Sequence, residues 1–121
     1  MHDVHDRAEM DRLRTPVEIL QWRLAQQLLS RGMDVLLENG FWVREERMTY
    51  LDRAHKLGAS VTLHFLDPDR DELLRRILAR NAVTVERSLQ ISEAELDRWL
   101  ERLERPEHEE LSRYDKVQIH R

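Results

Sequence analysis

Glu38 stands at the end of three consecutive apolar residues, Val35, Leu36 and Leu37, and is followed at once by Asn39 and Gly40. A short continuous apolar run of this kind predicts a strand covered on both faces. A carboxylate fixed at the end of such a strand, yet open to a crevice, can hold a magnesium-bound water or take a proton from a substrate hydroxyl. The plainer reading is an acid that caps the strand and bonds the next loop, with Gly40 supplying a positive φ. Phe41, Trp42, Arg44, Glu46 and Arg47 follow immediately. Aromatic surface and guanidinium forks beside an acid suit a phosphorylated or planar substrate. The alternative is a hydrophobic staple with i,i+3 ion pairing on the next helix. Further on, Arg75, Arg76 and Arg80 precede an irregular segment, 81–91. Arg76 and Arg80 are four apart and share a helix face, from which they can converge on a triphosphate under a mobile loop; a solvated arginine face is the simpler account.

Other candidates carry less. "HDVHD" at 2–6 places His2 and His5 beside Asp3 and Asp6, but ligands on an unanchored terminus lack the supporting shell that metal sites need, so no metal ligands are assigned. His64, in mid-strand, reads as a core or sheet-face histidine. No serine or threonine sits in a nucleophile elbow. The three glycines, Gly32, Gly40 and Gly58, form no phosphate-cradling loop.

The elements that must position these residues alternate. "TPVE" offers Thr15 as N-cap, Pro16 at the first helical position and Glu18 to complete a capping box. Val17, Leu20, Leu24 and Leu28 then recur at helical spacing, and Gly32 is placed as a C-terminal cap. After the strand at Val35–Leu37, residues 44–57 predict a helix with Met48, Leu51 and Ala54 inward, closed by Gly58. "VTLHFLD" at 61–67 predicts a second strand, again ending on an acid. Asp69 with Glu72 opens a helix through residue 81, and Ser92 with Glu95 opens another that ends before Pro106. "KVQIH" at 116–120 predicts the last strand. Strands alternating with helices, on connections unlike hairpins, imply an α/β domain with a mostly parallel sheet. Ligands in such sheets bind at the carboxyl ends of strands, where Glu38 and Asp67 stand. Residues 1–14 read as a disordered or weakly helical lead-in, and 15–121 as a single domain.

Composition narrows the classes further. No apolar run approaches the roughly 20 residues of a membrane span. The N-terminus is too charged for a secretory signal, and the absence of cysteine excludes disulfides and thiolate chemistry. A cytoplasmic location is the expectation. The net charge of −4 comes from 24 acids and 20 bases spread along the chain, which gives no basic footprint for nucleic acid.

The stretch "WRLAQQLLSRGMDVLLENGFWVREERMTYLDRAHKLGASVTLHFLDPDRDELLRRILARN" resembles the middle of bacterial P-loop kinases of the AAA-domain ATP-binding type, relatives of zeta-toxin and chloramphenicol phosphotransferase-like kinases. The likeness covers residues ~15 to 115 and is most specific in "LLENGFW" and in "LHFLD" followed by an arginine-bearing helix. It implies a P-loop NTPase fold with three layers, ATP with Mg2+ as cofactors, and a small-molecule phosphoryl acceptor. By this resemblance "VLLEN" looks like a Walker B strand and Glu38 like the acid that organises magnesium-bound water. Arg76 and Arg80 would be lid arginines on ATP phosphates, Arg80 acting in catalysis, with the lid spanning 76–91. Tyr114 and Asp115 would lie near the adenine, and Asn39, Trp42 and Arg44 on the substrate side.

One departure stands out. The family's GxxxxGK[ST] loop, with the strand before it and the helix after it, has no counterpart in these 121 residues. The expectation is therefore an N-terminally truncated or split kinase-like domain that does not turn over ATP alone. In the family the missing strand is central, between the "VLLEN" strand and that of 61–67. Its loss predicts two apolar edges facing an empty slot, open to re-pairing, homo-oligomerisation or strand exchange. The competing expectation is a non-catalytic assembly module that uses those edges.

Overall fold

The computed structural model describes the backbone of residues 3–86 and 90–121, with side chains from Thr15 onward. Its elements are α1 (Asp3–Ser30), α2 (Arg44–Lys56), β1 (Thr62–Leu66), α3 (Arg70–Val83), α4 (Glu93–Arg102), α5 (His108–Leu111) and β2 (Lys116–His120). β1 and β2 form a two-stranded parallel sheet, with Thr62 opposite Lys116 and Leu66 opposite His120. The chain is thus α/β, largely helical, with a small parallel sheet.

Local signals place the element ends. Asp69 caps α3 by accepting the Glu72 N–H, and Ser92 and Glu95 close a full capping box on α4. Gly32 and Gly58 adopt φ of 81° and 82°. There the amides of Met33 and Ala59 reach back to the carbonyls of Leu28 and Ala54, and those of Gly32 and Gly58 to Leu29 and His55, the paired bonds of a Schellman cap.

Three expectations are corrected. The first helix does not start at Thr15: α1 runs from Asp3, so Pro16 lies inside it and the expected capping box is not used. The preceding residues, free of glycine and proline, carry Ala8, Met10 and Leu13 among charged helix formers, and they extend the helix despite the proline. Second, Val17, Leu20 and Leu24 do not face inward; Leu20 is 67% and Leu24 56% exposed. The packed face is instead that of Trp22, Ala25 and Gln26. Trp22 stacks on Tyr50 with centroids 4.2 Å apart, Ala25 is buried, and Gln26 accepts from Arg53. A flat ring and a methyl group let α2 approach closely, which a leucine stripe does not match.

Third, Val35–Leu37 forms no strand. Residues 35–40 alternate between half-buried and exposed as an extended strand does, yet no backbone hydrogen bond among the described residues holds 34–40. A strand exists only with a ladder partner, and none lies beside this segment among the described residues. The core is correspondingly small. Ala25, Met48, Leu51, Ala54 and Leu96 are its buried apolar residues among those described, three of them on α2.

Candidate functional site

The extended segment 36–42, β1 with Asp67, the first turns of α3, and the apolar face of α4 surround one cavity of about 1560 Å³. Glu38, Asn39, Trp42 and Arg76, four of the residues singled out by sequence, line it together. Glu38 is exposed and has no hydrogen-bond or ion-pair partner among the described residues. Arg76 is loosely held, 3.6 Å from Glu72, because Arg75 occupies the same carboxylate at 2.7 and 3.0 Å. That pairing with Arg75 holds Glu72 below the usual carboxylate range. Arg76 is thus the cation of this helix left available to the cavity.

The other expected site residues are engaged elsewhere. Arg44 is ion-paired to Glu109 and donates its N–H to the Glu104 carboxylate. Arg80 lies on the exposed side of α3, outside the cavity lining. Asp115 accepts the Val61 N–H at 2.6 Å and pairs with His55 at 2.8 Å, and these bonds hold its carboxyl below the usual range. Tyr114 donates to Glu110 at 2.9 Å; burial and that bond raise its phenol well above the ordinary tyrosine value. Of the expected lid, residues 87–89 fall outside those described. Its base is pinned by Asn81, whose side chain donates to the Ile91 carbonyl (2.6 Å) and accepts the Ile91 N–H (3.0 Å).

The loop after Glu38 is held by Arg47, which sequence reasoning placed either beside a phosphorylated or planar substrate or in an i,i+3 ion pair. Arg47, buried on α2, grips Glu110 through Nε and Nη2 at 2.7 and 2.9 Å. Its remaining donors reach the carbonyls of Phe41 (2.8 Å) and Glu104 (2.6 Å). One guanidinium therefore joins the rim after Glu38 to the segment after α4. Phe41, not Gly40, takes the left-handed conformation, φ 50°, and its ring packs edge-on to Tyr50. Gly40 is required for another reason: a Cβ there would lie 2.0 Å from the Trp42 indole nitrogen. Gly40→Ala should therefore expel the indole from its seat, seen as a red-shifted, more quenchable Trp42 emission in a Trp22→Phe/Trp99→Phe background. Unchanged emission would show that the ring is not seated against Gly40.

Opposite, Arg105 pairs with Asp67 at 2.6 Å and lies over the Phe65 ring, 5.3 Å from its centroid. The carboxylate bond raises the Arg105 pKa further. His64 is on the exposed sheet face, its Nδ1 3.1 Å from Nε2 of His120.

A protein-family model described as an AAA domain matches residues 2–106. The chain belongs to that AAA-domain family. The family is P-loop-kinase-like, in agreement with the likeness carried by "LLENGFW" and "LHFLD". No curated protein and no solved structure matches the chain. In this AAA domain Glu38 and Asn39 line the same cavity as Arg76. Magnesium sites typically use one or two carboxylates beside substrate phosphates. A phosphate-cradling loop is not among these residues. Among the described residues no group of three or more His, Cys, Asp or Glu can hold a metal by itself, and no helix is long and apolar enough to cross a membrane.

Proposed function

We propose that this chain is the acid-bearing part of an ATP-dependent small-molecule phosphotransferase, and that it binds Mg-ATP weakly without turning it over alone. The observation that carries the reading is the unpartnered carboxylate of Glu38 facing the same cavity as the available guanidinium of Arg76. In this reading Glu38 holds a magnesium-bound water, and Arg76, with Arg80 after a rearrangement of α3, neutralises phosphate charge. Asn39, Trp42 and Arg44 serve the acceptor side. Tyr114 and Asp115, committed to structural bonds and outside the cavity lining, are given no part in it. The full three-layer P-loop architecture and a cytoplasmic site of action belong to the same proposal.

With a dissociation constant of about 1 mM, 5 mM Mg-ATP should stabilise the fold by about 1 kcal/mol, a rise of roughly 3–6 °C in melting temperature. Glu38→Gln should abolish most of the magnesium-dependent part of that rise while leaving the unliganded Tm unchanged, because Glu38 is exposed and unpaired. No shift at 5 mM sinks the nucleotide reading. It would favour the second one, an assembly module, which rests on the unpaired extended segment at 35–38.

A further inference from the structure

Two consecutive residues after α4 hold two different walls of the cavity. Leu103 closes α4 with a ψ of 119°, outside the helical region, and Pro106 disfavours a helical Arg105. Successive side chains of such an extended stretch point to opposite sides. Arg105 accordingly reaches Asp67, at the end of β1, at 2.6 Å, and Glu104 reaches the opposite rim. The Glu104 N–H donates to the Trp42 carbonyl at 2.8 Å, its carboxylate accepts the Arg44 N–H at 3.0 Å, and its carbonyl accepts from Arg47 at 2.6 Å. Both backbone groups and one carboxylate oxygen of this residue are therefore spent on residues 42–47.

The bond to Arg44 is the informative one. α2 begins at Arg44, and its N-cap residue, Val43, offers the first turn no side-chain bond. The amide at the first helical position is met instead by a carboxylate 60 residues away, whose charge also suits the positive end of the helix. Glu104 is exposed and lies outside the cavity lining, so burial does not account for the contact. Trp42, two residues before the capped amide, does line the cavity, with its indole seated against Gly40. The geometry points to Glu104 as a positioning residue for the acceptor rim: it caps α2 from outside and thereby holds Trp42 on its seat. With Arg105 on Asp67, one dipeptide sets the rim against the end of β1. The inference rests on the acceptor role proposed for Trp42 and Arg44, and Glu104 acts through those residues without touching substrate itself.

The test deletes the bond from each side and reads Trp42 emission in the full chain carrying Trp22→Phe/Trp99→Phe. Arg44→Pro removes the amide at a position where proline suits a helix, and Val43, at φ −110° and ψ 133°, already has the extended backbone that proline asks of its predecessor. Arg44→Ala loses the same side chain but keeps the amide. Arg44→Pro and Glu104→Ala should each red-shift the emission and roughly double its quenching by acrylamide, as expected for a locally opened rim. Arg44→Ala and Glu104→Gln should leave both near the parent values, because the amide is kept in one and an amide oxygen still accepts it in the other. Glu104→Ala/Arg44→Pro together should be no worse than either alone, since both remove one bond. Circular dichroism shows whether each variant is folded, and if Glu104→Ala is not, the comparison of Arg44→Pro with Arg44→Ala decides. Equal emission from those two overturns the proposal, as does a Glu104→Gln variant as loose as Glu104→Ala, or additive effects in the double variant. Mg-ATP is absent throughout, so a missing nucleotide-induced rise in melting temperature sinks the nucleotide reading and leaves this result standing.

Discussion

Arg47→Ala should cost about 3–5 kcal/mol of stability, the penalty for stranding one member of a buried ion pair. Glu110 is 0% exposed, and without Arg47 its carboxylate keeps only the Tyr114 hydroxyl. The Phe41 and Glu104 carbonyls lose their guanidinium donors in the same step. Urea denaturation is the measurement, and a loss under about 1 kcal/mol would show that the network is not buried as described. Arg47→Met/Glu110→Leu/Tyr114→Phe, which removes every charge and the hydroxyl, should recover more than half of the loss, since apolar replacement of a whole buried pair is often close to neutral. Failure to recover would place the energy in the two carbonyl bonds instead.

The same network gives a pH dependence. Burial pushes the Glu110 carboxyl upward, but hydrogen bonds from Arg47 and Tyr114, with the charge of Arg47, outweigh it and leave it below its ordinary value of 4.5. A carboxyl depressed by folding stabilises the native state above its unfolded pKa, and that contribution is lost as pH falls through the folded one. The parent chain should therefore lose stability progressively below about pH 4.5, more steeply than the uncharged triple variant, since the latter lacks this contribution.

Leu51→Ala should be comparably damaging. Leu51 is 1% exposed, and the buried apolar set around it is small, with Met48 and Ala54 on the same helix face. Truncating a fully buried leucine costs about 2.7–5 kcal/mol, rising with the cavity left behind. Against a total of roughly 5–15 kcal/mol for a domain, that is a large share. Leu20→Ala, on the exposed stripe of α1, should change stability by about 0.5 kcal/mol or less in the same denaturation series. Equal costs at the two sites would mean that the α1 stripe is buried after all.

Much of this molecule could be read before its fold. Asp69 with Glu72, Ser92 with Glu95, and Gly32 and Gly58 all act within a few residues, so their patterns survive in any tertiary context. Glu38 and Asn39 do line a cavity, but the strand expected to carry them there does not form. What failed was whatever depended on a distant neighbour. Val35–Leu37 has the composition of a strand, but a ladder partner decides whether it is one. The α1 sequence offers two stripes, and only the seat of Trp22 on Tyr50 selects the buried one. Arg47 read as a substrate-side guanidinium or a helix-surface ion pair until the fold brought Glu110, 63 residues away, against it.

By itself, then, the sequence determined the α/β class, the two strands that pair and the caps at Asp69, Ser92, Gly32 and Gly58, because turn chemistry and hydrophobic period act locally. The tertiary structure alone decided that Arg76 rather than Arg80 meets the cavity and that Tyr114 and Asp115 are spent on structural bonds. It also decided that a strand-like segment borders the cavity with no backbone hydrogen bond among the described residues. Those outcomes depend on which surfaces meet across long stretches of chain, and burial and hydrogen bonding are settled only there.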